Sequence, residues 1–237
     1  MNVKKILPLI PARGGSKGVK NKNIHEVNNK PLIQYTIETA ISTNIFDHIF
    51  VSTDSEKIAE VSLKLGAKVP FIRPESLAQD ESNSIDVMKH ALEWFNENKG
   101  LQFEYLLLLQ PTSPLRNEND IINSIELMQN NPAATAVVSV TKIEEPHPDK
   151  LFKINENNYL ESYLERYKQP FEGRRQDLPK VYSRNGAIYL IKTEHLLNKE
   201  SIYGGITIPY QMPFERSVNI DSYHDITIME SLLKNGK

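Results

Sequence analysis

Hydrophobic and polar positions along this chain switch period repeatedly, from short apolar runs to stretches with helical spacing and back. Residues 4–10 form an apolar run with β-branched members, long enough for one buried strand. At 31–43 the apolar positions Leu32, Ile33, Tyr35, Ile37, Ala40 and Ile41 recur near helical spacing, with Pro31 suited to a first turn. Residues 49–53 predict a second strand ending before Asp54, and 55–65 a helix closed by Gly66. A brief third strand is expected at 69–72, leading into Arg73. A helix follows from Asn83 or Ser84 to about Phe95, with Ile85, Met88, Ala91, Leu92 and Phe95 on one face.

Tyr105-Leu106-Leu107-Leu108-Leu109 is the most apolar run, stopped by Gln110-Pro111, and reads as a central strand buried on both faces. Residues 119–130 predict a helix, and 136–140 and 186–191 predict strands. A last short strand is expected at 218–221 before a final helix near Ser222. Between about 144 and 182 prolines, aromatics and charges mix without a clean period, which reads as an excursion from the sheet. Repeated βα order implies an α/β fold with an open, mostly parallel sheet and helices on both faces. No internal repeat or low-complexity segment interrupts the single domain expected for 1–237.

Composition narrows the function classes. Hydrophobic residues at 39% and charged residues at 24% are ordinary for a globular protein. A net charge of −2 gives no global field favouring nucleic acid or an anionic membrane, so any affinity for phosphate must be local. The absence of cysteine excludes disulfides and thiolate chemistry. The apolar stretch before Pro11 is too short for a secretory leader, and no run reaches membrane length, so a cytoplasmic protein is the expectation.

Ligands of open parallel sheets bind beyond the carboxyl ends of the strands. Arg13-Gly14-Gly15-Ser16-Lys17-Gly18, followed by Lys20, Lys22 and Asn23, occupies that place after the first strand. Glycines let backbone N–H groups approach an anion, and the cations supply charge. The spacing is neither that of a P-loop nor of a dinucleotide turn, and a solvated surface turn is the competing reading. Asn219 and Asp221, two apart, offer oxygens for Mg²⁺; alternatively Asp221 favours the start of the last helix, where Ser222-x-x-Asp225 resembles a capping box. The run Arg174-Arg175-Gln176-Asp177 is either a carboxylate clamp or a solvated face.

These segments together resemble the acylneuraminate cytidylyltransferases, which make CMP-nonulosonic acids. The resemblance rests on I-P-A-R-G-G-S-K-G at 10–18, K-N at 22–23, V-S-T-D at 51–54 and R-P-E-S-L-A at 73–78. It continues with L-L-Q-P-T-S-P-L-R at 108–116, R-R-Q-D-L-P at 174–179, N-G-A-I-Y at 185–189 and S-V-N-I-D at 217–221. It implies a Rossmann-like nucleotidyltransferase fold, a homodimer whose 144–182 excursion reaches the partner, and Mg²⁺-assisted transfer from CTP to a nine-carbon 2-keto sugar acid. Neither nucleic acid nor membrane is implied as a partner.

Carried over by motif, Ala12, Arg13, Ser16, Lys17, Lys22, Asn23, Arg73 and Ser84 correspond to the CTP side. Gln110, Lys150, Arg175, Asn185 and Tyr189 correspond to the sugar-acid side, with Arg175 as carboxylate clamp. Arg13, Lys22 and Asp221 are the implied catalytic set, and Asp221 with Asn219 the metal ligands. The family commonly has D-I-D where this chain has Asn219-Ile220-Asp221. That departure leaves open a nucleotide-binding relative with weak turnover. Separately, an enzyme for an eight-carbon acid of the Kdo type is a close rival, against which R-R-Q-D-L-P and N-G-A-I-Y favour the nine-carbon group.

Overall fold

The structure, a computed structural model, describes residues 2–164 and 173–235, without the side chains of Arg175 and Asn235. The chain begins with β1 (Ile6–Pro11), a small hairpin of β2 (Glu26–Val27) and β3 (Lys30–Pro31), and α1 (Leu32–Ser42). Next come β4 (Phe50–Ser52), α2 (Glu56–Lys64), α3 (Ser84–Lys99), β5 (Tyr105–Leu108), α4 (Glu118–Gln129) and β6 (Ala136–Ile143). A second hairpin, β7 (Phe152–Ile154) and β8 (Leu160–Ser162), precedes β9 (Val181–Lys192). The chain then forms α5 (Thr193–Lys199), β10 (Thr207–Gln211) and α6 (Tyr223–Asn235).

The central sheet has the order β10-β6-β9-β5-β1-β4. Neighbours β4, β1 and β5 are parallel, as are β6 and β10, while β9 runs antiparallel between β5 and β6. The sheet is thus mostly parallel, with β9 reversed where the chain returns from its excursion.

Strand alternation assigns the two faces. Leu7 and Leu9 of β1, Leu106 and Leu108 of β5, and Tyr189 and Ile191 of β9 pack with Met88, Ala91, Leu92 and Phe95 of α3. Ile6, Ile10, Leu107, Ile188 and Leu190 point the other way, against Ile33 and Ile37 of α1 and Ile121 and Ile125 of α4. Both faces are covered, which explains why β5 reads as continuous Leu rather than alternating. Each fully buried Leu or Ile contributes about 2 kcal/mol by area removed from water.

Two expected strands are absent. Residues 68–72 make only isolated bridges, Phe50 with Lys68 and Thr53 with Ile72, and Pro70 between them has no N–H to continue a ladder. Residues 218–221 are loop: the Ile220 N–H donates to the Thr112 carbonyl at 2.7 Å and the Asp221 N–H to the Asp225 carboxylate at 3.0 Å. Conversely, β10 and α5 were not foreseen. Pro209 interrupts the β pattern of β10, and a proline is tolerated there because β10 is an edge strand.

Candidate active site

From β1 the chain goes first to β4 on one side and later to β5 on the other, so the carboxyl end of β1 is a topological switch point. The glycine loop occupies it. Gly14 N–H donates to Asp54 Oδ1 at 2.9 Å, and Asn23 Nδ2 to the Arg13 carbonyl at 2.9 Å. At Gly18 a Cβ would stand 2.0 Å from the Asp221 carbonyl oxygen, so the loop is docked directly on that segment. Lys22 Nζ completes the joint, donating to Ile220 O and Asp221 Oδ1, each at 2.9 Å. The short chain of contacts 12–23 to 220–221 thus fixes two sequence-remote motifs against each other.

The cations here have carboxylate partners. Arg13 Nη2 lies 2.8 Å from Asp80 Oδ1, and Lys17 Nζ lies 2.6 Å from Asp80 Oδ2. The Lys17 and Arg13 hydrogen bonds hold the Asp80 carboxyl below its ordinary value. Arg73 is 4% exposed, with its Nη2 3.6 Å from Asp54 Oδ1. Burial lowers the Arg73 pKa and the Asp54 charge offsets part of this. A cavity of about 390 Å³ opens between these groups, lined by the cations Arg13, Lys17, Lys22 and Arg73, with Ser16, Asn23 and Asp221.

A second cavity of about 500 Å³ adjoins it. Asn83, Ser84 and Gln110 line both. Asn83 caps α3 by accepting the Asp86 N–H at 2.9 Å, so Ser84 stands at the N-terminus of a sixteen-residue helix aimed between the two spaces. The far wall comes from β9. Between Val138 and Val140 of β6 the pairing on β9 jumps from Tyr189 to Arg184, a bulge that turns Asn185 and Gly186 toward the site. Gly186 has φ +76°, and a Cβ there would stand 2.7 Å from Gln110 Oε1, so the missing side chain seats Gln110.

Gln110 is also held from below. The wholly buried Arg116 donates to its carbonyl oxygen and, at 3.1 Å, to Thr36 Oγ1 of α1. Burial pulls the Arg116 pKa down to about 9, with Asp120 acting in the opposite sense. Asp120 in turn pairs with Arg216, just before the 217–221 segment, and accepts from the Tyr210 hydroxyl at 3.0 Å.

Most of the expected residues converge. Arg13, Ser16, Lys17, Lys22, Asn23, Arg73 and Asp221 line the first cavity, Asn185, Tyr189 and Asn219 the second, and Ser84 and Gln110 both. Asn185 faces that space with its amide already engaged: Nδ2 donates to Ser217 Oγ at 2.9 Å, and Oδ1 accepts from Ser139 Oγ at 2.6 Å. The Asn219 amide donates to Asp221 Oδ2.

Ala12 lies in the core, its N–H donating to Ser52 O, and lines neither cavity. Lys150 pairs with Glu145 at 2.8 Å, away from both spaces. The Arg175 side chain falls outside the described structure. Sequence reading missed Asp80, Arg184 and Tyr203. Asp80 follows the matched R-P-E-S-L-A run closely, the one signal that could have marked it.

A cation-lined cavity at the switch point shares a polar wall with a second cavity, an arrangement with room for a polyanion beside another small molecule on an α/β fold. The family model for cytidylyltransferases matches residues 7–207, and the chain belongs to the cytidylyltransferase family. It is 37% identical to a post-translational flagellin modification protein B of Campylobacter coli, over 97% of this chain and 95% of that one. A pseudaminic acid cytidylyltransferase of Campylobacter jejuni is 34% identical, over 97% of each chain. A CMP-N,N'-diacetyllegionaminic acid synthase of the same species is 37% identical, over 96% of this chain and 94% of that one. In fold the chain is similar to a CMP:2-keto-3-deoxy-manno-octonic acid synthetase solved with CTP. That comparison gives a TM-score of 0.71 at 16% identity, over 99% of this chain and 100% of that one.

Proposed function

We propose that the protein joins CTP to a nine-carbon 2-keto sugar acid, giving the CMP-sugar and pyrophosphate. The observation that carries this reading is the pair of adjoining cavities with unequal charge. The first is lined by four cations, Arg13, Lys17, Lys22 and Arg73, and one carboxylate, Asp221; Asp80 and Asp54 pair with three of these cations, and a triphosphate would compete for them. The second is lined largely by neutral polar and aromatic groups, which suits a sugar skeleton. Relatives named for pseudaminic and diacetyllegionaminic acids support the nine-carbon class over the Kdo type, whose likeness is one of fold.

In this reading the anomeric oxygen of the acid, held at the wall of Ser84 and Gln110, attacks the α-phosphorus in line. The bond from that phosphorus to the bridging oxygen of pyrophosphate breaks, and the hydroxyl proton leaves to solvent. Arg13, Lys17 and Lys22 offset charge as it builds on the leaving pyrophosphate, so the chain acts by positioning and electrostatics.

Asp221 exposes most of its carboxylate beside Lys22, whereas Asn219 turns its amide nitrogen, not its oxygen, toward that carboxylate. One carboxylate fits Mg²⁺ that arrives with the nucleotide and keeps water and phosphate oxygens as its other ligands. Bound there, Mg²⁺ would neutralise phosphate charge and polarise the reacting phosphoryl group.

The excursion supports a homodimer. In the β7–β8 hairpin, Phe152, Ile154 and Leu160 share one exposed face, while Lys153 and Glu161 pair on the other. A lone two-stranded ribbon with an open apolar face is marginal in water, and a second copy would cover it. Sedimentation should give twice the chain mass; a monomer at micromolar concentration would remove this part of the reading.

The decisive assay is pyrophosphate release with CTP, Mg²⁺ and N-acetylneuraminic, N,N'-diacetyllegionaminic or pseudaminic acid. Release with at least one acid, abolished when ATP or GTP replaces CTP, is the expected result. Silence of folded protein with all three would refute the proposal. A second reading, nucleotide binding with little turnover, is favoured only by Asn219 in place of Asp. It requires calorimetric CTP binding without product, and activity restored by Asn219→Asp.

A further inference from the structure

The second cavity has a charged end. Among its described lining residues Arg184 is the one charged side chain, with the neutral Asn185, Ser201 and Asn219 nearby. The Arg184 guanidinium lies beside Tyr203 and within electrostatic reach of Tyr189. Arg184 and Tyr203 also line an outer hollow of about 440 Å³ with Val138, Val140, Thr207 and Pro209. Neither residue lines the cation-rich cavity, which meets the second one at Asn83, Ser84 and Gln110.

This places the two ends of a bound acid. The anomeric hydroxyl must lie at the shared wall to reach the α-phosphorus, and the carboxylate is bonded to the same carbon. The skeleton therefore extends away from that wall, and its distal substituents approach Arg184 and Tyr203. A guanidinium carries five N–H donors and no acceptor, so at that end it selects for acceptor groups. An acylamino carbonyl accepts without donating, whereas an ammonium on the same carbon would meet like charge.

We propose that Arg184, beside Tyr203 at the far end of the second cavity, donates a hydrogen bond to the carbonyl of an acylamino group remote from the anomeric centre. It thereby selects acylated nine-carbon acids over their free amines. The inference rests on the second cavity being the acid site.

The test uses whichever acylated acid the wild type turns over, and its de-N-acetylated form as a competitive inhibitor. Arg184→Ala should raise KM for the acylated acid about tenfold, the scale of one charge-assisted hydrogen bond, with KM for CTP within about twofold. Arg184→Lys should recover part of the loss. Arg184→Glu should bind the free amine about tenfold more tightly than the wild type does. An acid KM within about twofold in Arg184→Ala, equal losses for both substrates, or no gain for the amine in Arg184→Glu would overturn the assignment. An active wild type with such a variant refutes this inference alone, whereas a wild type silent on every acid refutes the proposed reaction and this inference with it.

Discussion

Gly18→Ala tests the joint between the glycine loop and Asp221. The added Cβ would fall 2.0 Å from the Asp221 carbonyl oxygen and 3.3 Å from its carbon. Gly18 is not among the positive-φ glycines, so alanine meets no backbone strain and the collision is the whole perturbation. The oxygen cannot swing aside freely, because the N–H of the same peptide, that of Ser222, is bonded to Asp225 Oδ2 at 2.7 Å. Either the loop or the 220–221 segment must retreat by about 1 Å, which stretches the 2.9 Å contacts of Lys22 beyond hydrogen-bond range.

A misplacement of about 1 Å typically costs about a hundredfold in rate, whereas overpacking of this kind costs about 1–3 kcal/mol of stability. Steady-state pyrophosphate release at varied CTP should therefore show kcat/KM down about a hundredfold. Urea unfolding in parallel should show a stability loss of no more than about 3 kcal/mol. Folded Gly18→Ala with activity within about threefold of the wild type would refute the docking argument.

Other expectations follow from the same contacts. Asp80→Asn frees Arg13 and Lys17 from a competing anion, so calorimetry at low salt should show CTP binding tightened a few-fold, with the gain shrinking as salt rises. Arg116→Ala leaves the Gln110 carbonyl and Thr36 without their donor and should lower stability by about 3 kcal/mol in urea. Burial holds the His90 imidazole below its ordinary 6.5, with Glu93 opposing and Arg73 adding to the effect, and its Nδ1 is buried without a hydrogen-bond partner among the described residues. The unfolded chain takes up this proton first, so the stability is present above 6.5 and declines as pH falls toward the folded value. His90→Gln should flatten the change in Tm between pH 7 and 5; an unchanged slope would exclude this group as the cause.

Much of the site was legible because its motifs follow strand ends. Once β1 and β5 were placed, Arg13 to Asn23 and Gln110 had to lie at the carboxyl edge of the sheet. Asp221 was found by motif, but the strand assigned around it was wrong: its backbone groups bond to Thr112 and Asp225, partners that local pattern does not reveal. Arg184 escaped notice for a related reason. It lies before the strand expected at 186–191, in residues that β9 turned out to include, and the bulge opposite Val138 and Val140 is a property of the pairing, not of β9 alone. Asp80 looked like one more loop carboxylate until the fold set it against Arg13 and Lys17.

By itself the sequence determined the α/β class, the main strands and helices, and the residue types available to a phosphate-binding loop, because periodicity, glycines and charges act locally. Tertiary structure alone decided the reversed placement of β9, the abutment of Gly18 on Asp221, and the division of the site into a cation-rich and a largely neutral cavity. Those depend on contacts between segments up to two hundred residues apart, such as Lys22 with Asp221, and such contacts exist only after the sheet has brought the strand ends together.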